Sequence, residues 1–391
     1  MEKANPKVDK IFECLDFSTD FSVEDWNTMV KQNLSKYFID GLILEHNKEI
    51  LRTEVINYIK LFTKPEYFKL FEWTFDLCKE CINIDKQATI KIVADLFDEI
   101  SNTDMIWMTN VVTQPEYKNF SERDKINYFF KVIDETLEGA FKPRFKLLVT
   151  LINFTINNTI TDNSKEDFGK LVRDFPGQLK SEVLLFLEDP IFLIPINQWR
   201  NIAAHKSFTI NKDNIIIKYG KNTIREVTVS YEEFYRVVSW TQDIYSAIRL
   251  GQIFSDLNYI DEIVAELGGT ENINIRFEAS LFHLIHNMQI VGFEFVSTEV
   301  QIDTFCLNVK GKINCDIKSS LIHASQCLDL LSCAIYDDKF VRDNYKNTQI
   351  NIVGNSGNKL ASASVPIIVA LKKVQRDIDQ EEYNKSIKFS L

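Results

Sequence analysis

Along most of this chain apolar side chains recur at intervals of three and four, the spacing that predicts helices with one buried face. Residues 1–118 show it in runs such as Val55–Phe62 and Ile90–Ile100, with few glycines between them. This part reads as an N-terminal helical domain, and TQPEYKN around Pro115 reads as its end. From 119 to 255 the pattern sharpens. A helix follows Ser121 with Ile126, Phe129, Phe130, Ile133 and Leu137 on one face, Gly139 and Pro143 punctuate it, and a second apolar helix runs from about Phe145 to Asn157. Ser164 with Asp167 resembles a capping box opening a third helix that ends near Pro190. Pro195 precedes a short helix starting about Asn197. The runs IIIKYG and IREVTV flank Gly220 and Asn222, a hairpin signal. Ser230 and Glu233 then cap a last helix lined by Phe234, Val237, Val238, Tyr245 and Ile248.

In residues 256–391 the period changes. After a helix near 274–288, the segments GFEFVSTEVQIDTFCLNVKG and TQINIVG alternate with period two or carry β-branched runs, interleaved with helical stretches near 317–336 and 364–380. The expected architecture is therefore mainly α: a helical bundle with a small β-hairpin, flanked by an N-terminal helical region and a C-terminal α+β domain.

Composition adds constraints. The 391 residues are 45% hydrophobic with 29 Phe, and only 12 Gly and 8 Pro, which favours helices over a many-stranded barrel. No stretch approaches the roughly 18 uncharged apolar residues of a membrane span, and MEKANPKVDKIFECL lacks the apolar block of a signal peptide. The seven cysteines are scattered and odd in number, as for reduced thiols. A cytoplasmic protein with no membrane partner is expected. The net charge of −11 speaks against a nucleic-acid partner, but its distribution does not. Residues 121–254 hold 18 Lys+Arg against 17 Asp+Glu, so the acidity lies in the flanks.

The chemistry concentrates in WRNIAAH. Arginine and histidine separated by four to six intervening residues occur twice, as Arg200 with His205 and Arg276 with His283, so the loose pattern discriminates little. Asn directly after Arg singles out Arg200-Asn201; in the other pair Phe277 follows. Cleavage of a phosphodiester by its 2′-hydroxyl needs a proton acceptor, a proton donor and positive charge on the non-bridging oxygens. Histidine exchanges protons near neutrality and arginine's planar fork matches phosphate. On a helix Asn201 and His205 share a face, where Asn201 would orient the imidazole or bind phosphate itself. Arg200 lies about 140° around from His205, so one helix does not easily present both to one phosphate. Placed in the first turn, Arg200 would also adjoin free backbone N–H groups. Lys206 is a candidate RNA contact. The alternative is a buried Arg–Asn–His hydrogen-bond cluster that supports the bundle.

Over residues 120–255, a helical bundle with this motif opening a late helix resembles the HEPN superfamily, whose signature is Arg-x(4–6)-His, commonly with a polar residue after Arg. The resemblance implies a homodimer whose two motifs meet across the interface and cleave RNA without a metal or other cofactor. It implies catalytic roles for Arg200, Asn201 and His205, and service in abortive infection or a toxin–antitoxin pair. An antitoxin or a phage-derived trigger would then be a further partner, with the flanking domains sensing it or restraining the nuclease. A HEPN-like module that binds RNA, nucleotide or a partner protein without cleaving is a second reading, and a structural or interaction protein whose helical part merely resembles the family is a third.

Other signals favour ordinary roles. Cys78 and Cys81 form a lone CxxC with neither a second pair nor a preceding strand. His283 and His286, with Glu278 one turn earlier, lack a third metal ligand at suitable spacing. Cys306, Cys315, His323, Cys327 and Cys333 match no zinc spacing. IVGNSGNK departs from GxxxxGK[ST] and reads as a turn.

Overall fold

The computed structural model describes residues 23–112, 120–160, 165–179, 186–269, 277–290, 292–311, 316–339 and 341–391. The fold is mainly helical with two small sheets. Among the described residues no helix is long and apolar enough to cross a membrane.

One compact unit comprises Asn27–Thr270. Its helices are α1 (Val23–Leu34, which begins just before it), α2 (Gly41–His46), α3 (Lys48–Phe62), α4 (Pro65–Ile84), α5 (Lys86–Val112), α6 (Glu122–Asp134), α7 (Lys142–Asn157), α8 (Phe168–Arg173), α9 (Ile196–Ala204), α10 (Tyr231–Leu257) and α11 (Ile260–Glu266). The division expected near residue 118 does not separate two bodies, because helices on both sides share one core. Gly251 on α10 faces α4 so closely that a Cβ there would stand 2.8 Å from Thr74 Cβ and 2.9 Å from the Phe71 carbonyl oxygen. A buried ionic network crosses the same line. Arg249 Nη1 pairs with Glu54 Oε2 at 2.8 Å, and Asp104 accepts from Arg144 Nη2 at 2.8 Å and from Arg249 Nε at 3.1 Å. Gln252 Oε1 takes Arg144 Nη1 at 3.0 Å. Pairing of this kind is obligatory for charges so far from water. The local pattern of apolar positions carries no trace of it.

Ser121 caps α6 through the Asp124 N–H, and Ile126, Phe130 and Ile133 are buried as their spacing requires. Gly139 and Pro143 do not end the helical path. Residues Glu135–Phe141 form a π-helical turn that runs directly into α7. Pro143 lacks an N–H, and a widened turn just before it accommodates the lost bond. The third helix expected over 164–190 is shorter: α8 starts behind Asp167, whose carboxylate accepts from Lys170 N, and ends at Arg173. Residue 164 lies outside the described residues. The hairpin signal is realised by β2 (Asn214–Tyr219) and β3 (Arg225–Ser230). A further short strand, β1 (Phe208–Ile210), joins β2 to give a three-stranded antiparallel sheet. Ser230 and Glu233 form the expected capping box of α10.

The second unit comprises Glu271–Leu391 together with the residues up to Trp26. It holds α12 (Phe277–Ile290), β4 (Glu294–Gln301), β5 (Thr304–Lys310), α13 (Ile317–Ser325), α14 (Leu328–Asp337), β6 (Asn347–Val353), β7 (Lys359–Pro366), α15 (Ile367–Val374), α16 (Gln380–Ser386) and β8 (Lys388–Ser390). The five strands pair in chain order. Every pairing is antiparallel except β5 with β6, which is parallel and bridged by α13 and α14. IVGNSGNK is the β6–β7 turn, closed by Gly354 N to Asn358 O, with Gly357 at φ +78°.

Candidate functional site

The motif helix α9 is set by the loop before it. Asp189 is fully buried, and its carboxylate accepts from Ile191 N (3.0 Å), Phe192 N (2.6 Å), Ile194 N (2.8 Å) and the Trp199 indole Nε1 (2.9 Å). One side chain thereby satisfies the donors of the turn and pins Trp199, itself wholly buried, on the inner face of α9. Fixing Trp199 fixes the rotation of the helix. Trp199 and Ile202 then point inward, and Arg200 and Asn201 lie half-buried at the side.

Pro195 is the N-cap and the helix starts at Ile196, one residue earlier than expected, so Arg200 is its fifth residue and lies past the first turn. The free N–H groups of the first turn therefore do not serve it. At the other end α9 closes in a Schellman motif. Ser207 N bonds to Ile202 O at 3.0 Å and Lys206 N to Ala203 O at 3.3 Å, with Lys206 at φ +52°. Glycine is the usual residue there; a lysine is an uncommon choice for that backbone. His205 is the C-cap and its N–H still reaches Asn201 O at 3.0 Å, so it sits one turn beyond Asn201. Its side chain is exposed, with no hydrogen bond or ion pair to a described residue.

Arg200 Nη1 donates to Asn201 Oδ1 at 3.1 Å. Arg200 Nε lies 2.8 Å from Glu138 Oε2, an ion pair by distance whose N–H does not point along the line of a hydrogen bond. Glu138 sits in the π turn, and its other oxygen holds Lys142 Nζ at 2.7 Å. Asp134, one turn before Glu138, has its carboxyl raised by burial. The charge of Arg200 opposes that rise, Glu138 and Glu135 add to it, and His205 opposes it. Arg200 and His205 therefore both lie within electrostatic reach of one carboxylate. The three motif residues are brought to one region, but they do not form a buried Arg–Asn–His cluster, since His205 faces solvent.

Sequence reading missed Asp134, Glu138, Lys142 and Asp189. The first three were detectable as ionisable residues at intervals of four, on one helical face. Asp189 carried no local signal, because its partners are backbone groups and a tryptophan.

The remaining candidates take ordinary places. Cys78 and Cys81 are buried, and burial pushes the Cys78 thiol well up and the Cys81 thiol up to about 12. His323 packs edge-on against Phe293 at 5.7 Å. Among the described residues no group of three His, Cys, Asp or Glu is arranged to hold a metal ion. Arg276, Cys315 and the side chains of His283 and His286 lie outside the described residues. Comparison of the chain with models of known families, with curated proteins and with solved structures finds no match.

Proposed function

We propose that the chain is a HEPN-type endoribonuclease that cleaves RNA through Arg200, Asn201 and His205 without a metal, in anti-phage defence or as a toxin. The observation that carries this reading is the pairing of an exposed, unbonded imidazole at the end of α9 with an arginine held one turn earlier at the side of the same helix. His205 accepts the 2′-hydroxyl proton or delivers one to the departing 5′ oxygen. Arg200 binds the non-bridging oxygens and offsets the charge that grows on them in the transition state. Its Nε side lies against Glu138 as an ion pair and Nη1 donates to Asn201, which holds the fork in place and leaves other Nη donors for phosphate. The Asn201 amide N–H₂ is a second donor on the turn that His205 follows.

Arg200 and His205 project from α9 at different angles, so a symmetric dimer in which two α9 helices meet supplies both groups to one phosphate. Incubating the purified chain with bulk tRNA and rRNA in EDTA tests the reading. Fragments ending in 2′,3′-cyclic phosphate are expected. Strict dependence on Mg²⁺ or Mn²⁺ would exclude this mechanism, and intact RNA would leave a non-cleaving binding module in its place.

A further inference from the structure

The sheet β1–β3 carries a cationic end that the chemistry at Arg200 and His205 does not use. Ser207 accepts from Lys218 N at 2.9 Å, which extends the pairing of β1 with β2 back to the residue after Lys206. Tyr219 faces Arg225 across β2 and β3, and Lys218 faces Glu226. Lys206, Lys218, Lys221 and Arg225 are all exposed at this end, and Lys206 directly follows His205. Lys218 has a partner, Glu226 at 3.4 Å, but both side chains are more than half exposed and such pairs exchange readily. Lys206, Lys221 and Arg225 form no ion pair with a described residue. In a chain of net charge −11, residues 206–226 hold five basic side chains against two acidic ones.

This end is built, not loose. Gly220, at φ +104°, turns the hairpin so tightly that a Cβ would lie 2.3 Å from Thr223 O. Gly220 N donates to Gln198 Oε1 at 3.2 Å, tying the turn to the motif helix. The far end is fastened by the Tyr231 hydroxyl to Asn211 O at 2.6 Å. Near Arg200, by contrast, Glu138 is held between Arg200 and Lys142 and Glu135 pairs with Lys131, so that side carries no run of unpaired cations.

We infer that the hairpin end formed by Lys206, Lys218, Lys221 and Arg225 binds the single-stranded RNA next to the cleaved phosphate. The half-buried Tyr219, beside Arg225 on the sheet face opposite Lys218, offers a surface for one base. The choice of RNA as ligand rests on the ribonuclease reading; the cationic surface does not.

The triple variant K218Q/K221Q/R225Q is the test, with K218R/K221R/R225K as its charge-conserving control. A fluorescein-labelled, 2′-O-methylated single-stranded RNA, which cannot be cleaved by its own 2′-oxygen, is titrated by anisotropy over a range of KCl. Removing three phosphate contacts at roughly 0.7 each should lower the slope of log affinity against log salt by about 2. Affinity should fall by about tenfold or more at low salt, while the control stays near the parent. On cleavable RNA the triple variant should raise KM and leave kcat little changed. An unchanged slope and affinity, or a fall in kcat alone, would overturn the inference while leaving the ribonuclease reading intact. Hairpin-dependent binding by a parent chain that cleaves nothing would uphold the inference and remove the ribonuclease reading.

Discussion

Arg200 Nε stands 2.8 Å from Glu138 Oε2, joining the motif helix to the π turn between α6 and α7. That contact holds a guanidinium at the side of α9 while the imidazole of His205 is left free at its end. The roles proposed for the two residues depend on this division between a held cation and an exposed imidazole.

His205→Ala and Arg200→Ala should each lower RNA cleavage by about 10² or more, as loss of a proton carrier or a phosphate clamp does. Glu138→Gln removes the charge that fixes Arg200 without touching the phosphate, so a smaller fall of about tenfold is expected, mainly in kcat. Arg276→Ala and His283→Ala should be near neutral. Initial rates on a defined RNA check all five, and an essential Arg276–His283 pair beside a dispensable Arg200–His205 pair would move the site.

Mixing the inactive Arg200→Ala and His205→Ala chains should restore part of the activity if each site draws on both copies. With the two groups about 140° apart around one helix, a composite site is the arrangement the geometry favours. Activity of the mixture against each variant alone, with light scattering at the same concentration, decides it. A fully active monomer would exclude the composite site.

Asp189→Ala should destabilise the Asn27–Thr270 unit by on the order of 3 kcal/mol or more. It strands three backbone N–H groups and the Trp199 indole, where each unsatisfied buried donor costs about 1–3 kcal/mol. Urea unfolding followed through tryptophan fluorescence measures the loss. A change under about 1 kcal/mol would mean that the loop before α9 does not depend on this carboxylate.

Asp256 provides a pH-dependent expectation. It lines a small apolar cavity with Cys78, Leu147, Leu151 and Tyr259, and burial raises its carboxyl to about 7, with Arg144 opposing and Asp104 adding. From about pH 4 to about pH 7 the folded chain keeps a proton that the unfolded chain has released, so stability falls as pH rises through that window. Asp256→Asn has no such proton to lose. It should match the parent near pH 4 and exceed it at pH 8 by about 2 kcal/mol, after allowance for the partial exposure of the residue. Thermal melts at both values check this, and an equal difference at the two pH values would contradict it.

Local chemistry was legible in the sequence. Apolar spacing located α6 and α10, the Ser230–Glu233 box placed the start of α10, and the β-branched runs around Gly220 located β2 and β3. These features depend on residues within a few positions of one another, and the one-dimensional pattern records such distances. WRNIAAH stood out for the same reason. What only the tertiary structure decided involves partners far apart in the chain. Glu54 and Asp104 find Arg144 and Arg249, which merges the helices before residue 118 with those after it. Glu138 likewise finds Arg200. A buried charge must be paired, but its sequence neighbours do not say with what. The fold supplies the partner, and here it set both the extent of the first unit and the surroundings of the candidate site.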